Sequence, residues 1–427
     1  MSGEVASVMA LAARLWEQGR QAEAIEAFAA LQARRPEDAD IAMRLGLALM
    51  QRGQLVEAVA AMEPAAAVAP ETHPLHDCLS RALGGVHWRE RGPEAIPALR
   101  ARLASAPEDH DRHGALATAL LSCGRLAEAW PHYAWRWHGM KIAARAPEHP
   151  LVRPDPAAWA GKRVLLFAEQ GLGDMLQFLR YVPMAVRHAR EVVVEVYPPL
   201  LRLARTLPGA PCVVAEGEAV PPWDEAVPMM HLPWAFGTDL ATVPATVPYF
   251  TPDPVAVEGW RRRLAGLPGR KVGLVWSGDP RPHDRLAHRI DRRRSLKLAQ
   301  LAPLGAVAGI SLVSLQKGAG AAQPVPAGMV LHDWTAELGD FADTAALMQA
   351  LDLVISADTS PLHLAGALGR PVWLLDRYDS CWRWMRERDD SPWYPTLRRF
   401  RQGAPGDWGG VVARVVGALK EESAFFL

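Results

Sequence analysis

From Asp352 to Trp373 the chain reads Asp-Leu-Val-Ile-Ser-Ala-Asp358-Thr359-Ser360-Pro361-Leu-His363-Leu-Ala-Gly366-Ala-Leu-Gly369-Arg-Pro371-Val-Trp. A strand ends at Ser356, a turn follows, and Pro361 suits the first turn of a helix. Thr359 and Ser360 bring hydroxyls and free backbone N–H groups to the positive end of that helix. His363 lies one turn further on the same side and can donate to a phosphate oxygen. The chemistry expected there is capture of a diphosphate. A capped structural helix with a buried histidine is the plain alternative.

A second cluster offers cations. Trp276-Ser277-Gly278-Asp279-Pro280 is followed by His288, Asp291 and the run Arg292-Arg293-Arg294-Ser295. A Gly-containing turn beside guanidinium groups can clamp a departing diphosphate and do the work of a metal ion. Ser277, Gly278, Arg294 and Ser295 are the favoured residues, with Lys317 a weaker candidate; runs of arginine otherwise read as a solvated face.

The third motif is Gln170-Gly171-Leu172-Gly173-Asp174, between a strand and a helical run Met175–Ala189. Leu176 stands where a dinucleotide fingerprint has its third glycine. Asp174 also puts a carboxylate at the helix end that a pyrophosphate needs, so nicotinamide chemistry is disfavoured. Gly171 and Gly173 bring backbone close to an acceptor, and Asp174 is placed to act as general base on its hydroxyl. A simple helix cap is the alternative for Asp174; His288 and Asp291 are the reserve bases.

These motifs need strand ends facing a cleft. Short β-branched runs at 164–167, 192–196 and 211–214 read as buried parallel strands, and a second series follows at 272–276, 310–315, 330–331, 353–356 and 372–375. A Pro-rich stretch, 244–254, divides the series. Two doubly wound lobes facing each other are expected, spanning 162–255 (acceptor side) and 256–405 (donor side), with a last helix in 406–427 crossing back to the first.

Ahead of them the chain repeats itself. The pairs Glu23-Ala24, Glu57-Ala58, Glu94-Ala95 and Glu128-Ala129 put alanines 34, 37 and 34 residues apart, and Pro36, Pro70 and Pro107 close three units. A small residue where two helices touch, with Phe28 and Met62 filling the next groove, predicts helix pairs stacked over 1–140. The third unit has three extra residues around Val86-His87-Trp88. Pro147, Pro150, Pro154 and Pro156 mark a linker over 141–161.

Composition limits the partners. Lysine plus arginine and aspartate plus glutamate both number 47 in 427 residues, which removes the simplest case for nucleic acid or an anionic membrane. Cys78, Cys123, Cys212 and Cys381 are scattered with no metal spacing, as in a reducing compartment. No signal peptide or membrane span is read, so a cytoplasmic location is expected.

The repeats resemble the tetratricopeptide repeat. GlyLeuGlyAspMetLeu, AspThrSerProLeuHisLeuAlaGlyAlaLeuGly and the tail Trp382-Arg383-Trp384…Ser391-Pro392-Trp393-Tyr394 resemble family 9 glycosyltransferases, the heptosyltransferase superfamily. The resemblance implies an α-solenoid followed by a GT-B glycosyltransferase of two Rossmann-like lobes, inverting and without metal or other cofactor. It puts Asp174 on the family's proposed base, Thr359, Ser360 and His363 on its phosphate-binding segment, and Asp358 on a residue facing the donor sugar. Two features depart from the heptosyltransferases. A lysine after the first strand of lobe two is missing, leaving His288 or Arg294 as substitutes, and the family enzymes lack the repeats. The fusion is similar to protein O-glycosyltransferases, including some that modify flagellins. The expected partners are a nucleotide-sugar donor and a protein or glycan acceptor selected by the repeats. The alternative is a scaffold whose transferase domain no longer turns over.

Overall fold

The computed structural model describes residues 3–70, 73–86, 95–104, 106–139 and 151–424. The extra residues 87–88, Glu94 and the linker prolines Pro147 and Pro150 lie outside them. The chain divides into two compact units, 1–140 and 141–427.

The first unit is helical: α1 Gly3–Glu17, α2 Gln21–Arg34, α3 Ala39–Gln51, α4 Leu55–Ala66, α5 Leu75–Val86, α6 Ala95–Ala104, α7 His110–Ser122, α8 Leu126–Tyr133 and α9 Arg136–Gly139. Consecutive helices pair because the intervening turn needs left-handed backbone, and Gly19, Gly53 and Gly124 supply it at φ 78°, 79° and 76°. Ala24, Ala58 and Ala129 are wholly buried where second helix meets first. Gly46 of α3 leaves room for Met62 of α4: a Cβ there would lie 2.5 Å from the Met62 sulfur. Asp38 and Asp109, each two residues after a unit-closing proline, cap α3 and α7 through the backbone N–H groups of Ile41 and Arg112.

The second unit holds two parallel sheets. In lobe one, β1 Arg163–Phe167, β2 Glu191–Val196, β3 Cys212–Ala215 and β4 Glu225–Pro228 lie in the order β3-β2-β1-β4. Strand β4 is only four residues long and begins on Glu225, so no apolar run marks it in the sequence. The helical run after β1 is broken into α10 Leu172–Phe178, a 3₁₀ turn, and α11 Val182–Val186, where Pro183 has no N–H to continue the ladder. Short helices α12 Leu201–Ala204 and α13 Leu232–Ala235 complete the lobe.

Lobe two contains α14 Pro254–Leu264, β5 Arg270–Val275, α15 Arg285–Arg294, β6 Ile310–Ser314, β7 Leu331–Asp333, α16 Phe341–Gln349, β8 Leu353–Ala357, α17 Ser360–Ala367, β9 Val372–Asp376, β10 Leu397–Arg401 and α18 Trp408–Ala424. Its sheet order is β10-β9-β8-β5-β6-β7, all parallel. The order reverses between β5 and β8, and ligands of such sheets sit outside the carboxyl ends at that point. The two lobes form a GT-B-like pair of Rossmann-type halves.

One expectation is corrected. Helix α18 packs on its own lobe: Val411, Val415, Ala418 and Leu419 lie in one core with Val272, Leu274 and Leu312. The spacing of those four residues makes one apolar stripe, which the face of lobe two's sheet buries. The segment that reaches lobe one is instead 381–394, between β9 and β10.

Candidate functional site

Two loops flank the β5/β8 switch point. After β5, the Gln316 side chain accepts from the N–H groups of Trp276 (2.9 Å) and Ser277 (2.8 Å) and donates to the Ser277 carbonyl at 3.0 Å. The Gly278 N–H donates to Ser295 Oγ at 3.0 Å. Gly278 has no space for a side chain, since a Cβ would meet Asp291 and Arg294 at 2.2 and 2.5 Å. Arg294 is held by Asp291 (3.1 Å) and donates to the Asp358 carbonyl at 3.0 Å. It therefore ties the loop after β5 to the loop after β8. Ser277, Gly278, Arg294, Ser295 and Asp358 come together as one group. Asp291 is buried against Arg294, which makes it a brace and not a spare base. His288 Nδ1 donates to the Pro280 carbonyl at 2.7 Å. Lys317 donates to the Leu338 carbonyl.

After β8, Thr359 is the residue preceding α17, but its hydroxyl turns inward to the Ala357 carbonyl (3.3 Å) and Ser356 Oγ (3.4 Å). The expected Thr359 hydroxyl contact is thus spent on the fold; in the first turn Pro361 has no N–H and the Leu362 N–H donates to the Thr359 carbonyl at 3.0 Å, which leaves Ser360 as its polar residue. His363 is buried, its Nδ1 lies 2.9 Å from Tyr394 Oη, and its ring stacks on Trp384 at 5.4 Å. Burial, reinforced by the charges of Arg383, Arg180 and Arg294, pushes its pKa well below the ordinary 6.5, so the imidazole is neutral.

Lobe one meets α17 at Gly173. A Cβ there would lie 2.8 Å from His363 Cδ2 and 3.5 Å from Ser360 Cα, so only glycine allows α10 and α17 to close on each other. Just ahead, Gln170 is held at φ 64° and accepts at its carbonyl from Tyr197 Oη at 2.6 Å. A non-glycine residue in that region stores strain, as functional loops do. Asp174 has both oxygens engaged: Oδ2 accepts from Gly171 N at 2.9 Å, and Oδ1 pairs with Arg383.

Arg383, from the Trp382–Trp384 stretch, joins the lobes. It also donates to Gln177 Oε1 and lies over the Trp382 ring at 4.4 Å. Arg180, which no motif marked, is buried between lobes. It donates to the Trp393 carbonyl at 2.6 Å and sits over the Tyr394 ring at 4.7 Å. A desolvated cation–π contact of this kind contributes about 2 kcal/mol. Gln316 gave no signal either, because its partners are 39 and 40 residues away. Among the described residues no group of three or more His, Cys, Asp or Glu is placed to hold a metal, and no helix is long and apolar enough to cross a membrane.

Residues 9–71 match the tetratricopeptide-repeat family, and residues 338–375, which include the Asp358–His363 turn, match glycosyltransferase family 9 (heptosyltransferase). Over 97% of its length the chain is similar to Protein FlbA of Caulobacter vibrioides, at 29% identity and covering 72% of that protein. Among solved structures, E. coli ADP-heptose lps heptosyltransferase II is similar at 12% identity, over 61% of this chain and 99% of that one, with a TM-score of 0.40. An O-GlcNAc transferase mutant of Thermobaculum terrenum is similar at 16% identity, over 99% of this chain and 93% of that one, with a TM-score of 0.28. Likenesses at those scores carry no residue roles across.

Proposed function

We propose that this chain, a tetratricopeptide-repeat protein with a heptosyltransferase-like domain of glycosyltransferase family 9, moves a hexose or heptose from a nucleotide-sugar donor to a protein or glycan hydroxyl, with inversion and without a metal ion. The observation that carries this reading is the reversal of strand order between β5 and β8. There Arg294 bridges the two strand-end loops beside the first turn of α17.

In the reaction the acceptor oxygen bonds to the anomeric carbon as that carbon's bond to the diphosphate oxygen breaks. The electron pair leaves with the diphosphate, where the positive end of α17 and the Arg294 guanidinium meet the added charge. With Nδ1 of His363 accepting from Tyr394, Nε2 carries the proton and donates to a phosphate oxygen. The acceptor proton passes to the carboxylate of Asp174, across from the donor on lobe one. Attack from the face opposite the diphosphate inverts the configuration. The repeats select the acceptor, and the four free cysteines suit a reducing compartment such as the cytoplasm.

One observation favours the alternative of a scaffold without turnover: Asp174 is already engaged at both oxygens. Thermal shift against ADP-, GDP-, UDP-, TDP- and CMP-linked sugars tests donor binding. One class at 100-fold excess over its Kd should stabilise the fold by about 2.7 kcal/mol. No shift with any of them sinks the proposal, and binding without slow donor hydrolysis or transfer leaves the scaffold.

A further inference from the structure

Beside the diphosphate turn, at the end of the next strand, lies a cation that the reaction above does not use. Arg377 follows β9, whose Leu375 is in register with Ala357 of β8, so Asp358 falls beside Asp376 and Arg377 one residue further on, both at the carboxyl edge of the sheet. Arg377 is more than nine-tenths buried, and its Nε and Nη1 have no hydrogen-bond partner. Its nearest carboxylate, Asp379 at 3.5 Å, also pairs with Arg293. The Asp358 carboxylate, half-buried, makes no hydrogen bond or ion pair among the described residues; only its backbone carbonyl is used, by Arg294.

A donor with unmet hydrogen bonds and an unbonded carboxylate thus stand at neighbouring strand ends, not paired with each other. A buried guanidinium whose Nε and Nη1 make no hydrogen bond is costly unless a ligand or water completes it. The missing ligand must accept from Arg377 and donate to Asp358. A hydroxyl does both. A phosphate or carboxylate only accepts, and would meet the carboxylates of Asp358 and Asp379.

We infer that Arg377, with Asp358, grips adjacent hydroxyls of the donor sugar, so that the donor is a neutral hydroxylated sugar and not an acidic one. This rests on the donor reading above: with the diphosphate on the first turn of α17, the attached sugar lies over the end of β9. Arg377 is then the residue that distinguishes a sugar nucleotide from its bare nucleotide.

The test is calorimetry on the full chain with ADP, GDP, UDP and TDP, and then with the glucose conjugate of whichever binds. Where the nucleotide is UDP, UDP-glucuronate is added as the acidic probe. The intact protein should bind the glucose conjugate tighter than the nucleotide alone. In Arg377→Met that increment should vanish, a loss of roughly tenfold or more, as for a hydrogen bond to a charged group, while nucleotide affinity changes less than about twofold. Arg377→Lys, which keeps the buried charge, serves if the methionine variant does not fold, and should lose most of the increment because it has one point charge in place of a fork. An increment that survives both substitutions, or an equal fall in affinity for nucleotide and conjugate, overturns the assignment of Arg377. Tighter binding of the glucuronate conjugate overturns the neutral sugar. Failure of every nucleotide to bind overturns the donor reading itself, and this inference with it.

Discussion

Replacing Asp174 by asparagine separates the roles that its carboxylate combines. The amide oxygen can still accept from Gly171 N, so the helix start is kept. The charge opposite Arg383 is lost. Deleting one partner of a buried ion pair costs about 3–5 kcal/mol. Here the Asp174 side chain is 21% exposed, and Arg383 keeps Gln177 and the Trp382 ring, so about 1–2 kcal/mol of stability should go. A general base contributes roughly 10²–10⁴ in turnover, or about 2.7–5.5 kcal/mol, which exceeds that structural cost. Arg383→Gln breaks the same pair but leaves the carboxylate, and is the control. Single-turnover transfer at saturating donor should fall by roughly 10²–10⁴ in Asp174→Asn and much less in Arg383→Gln, with similar small losses in Tm. Near-normal turnover in Asp174→Asn would refute the base role and leave a helix cap that anchors the lobes. Equal losses in both variants would assign the effect to the ion pair.

Four further outcomes are expected. His363→Ala should weaken nucleotide binding by roughly 1–3 kcal/mol; calorimetry showing unchanged affinity removes the α17 site. Because the folded pKa of His363 is depressed, the unfolded chain takes up a proton below about 6.5 that the folded chain refuses, so stability is full above that pH and declines as pH falls. His132 in the repeats, lowered to about 4 by burial and then by His113, adds to the same acid limb; a Tm series from pH 8 to 5 with and without His363→Gln measures the share of His363. Transfer should survive EDTA, and loss with rescue by Mn²⁺ would show that a metal takes part. Deleting residues 1–140 should leave nucleotide binding intact and abolish transfer to the native acceptor, if the remainder stays soluble; equal transfer by both forms contradicts acceptor selection by the repeats.

Features that a few neighbouring residues decide were legible in the sequence. The glycine turns at Gly19, Gly53 and Gly124, the buried alanines at Ala24, Ala58 and Ala129, and most strands of both sheets follow from local backbone needs and apolar runs. Strand β4 is four residues long and starts on Glu225, and arginines interrupt β10, so register with a neighbour defines both. Among the site residues, the Ser277–Gly278 turn, Arg294–Ser295 and the Asp358–His363 segment could be singled out because strand, turn and helix follow within about ten residues. The inward turn of the Thr359 hydroxyl depended on Ser356 behind it.

Sequence alone determined the kinds of element, their order, and which strand ends carry hydroxyls, imidazole and guanidinium. Tertiary structure decided which distant groups share them. Arg383 reaches Asp174 across 209 residues and Arg180 reaches Trp393 across 213. The amphipathic stripe of α18 specifies that it must be buried but not by which lobe, and the face of lobe two's sheet settled that. The physical reason is the same throughout: backbone propensity and periodicity act over one or two turns, whereas an ion pair, a stacked ring or a buried face is chosen only when packing brings its partner within a few ångströms.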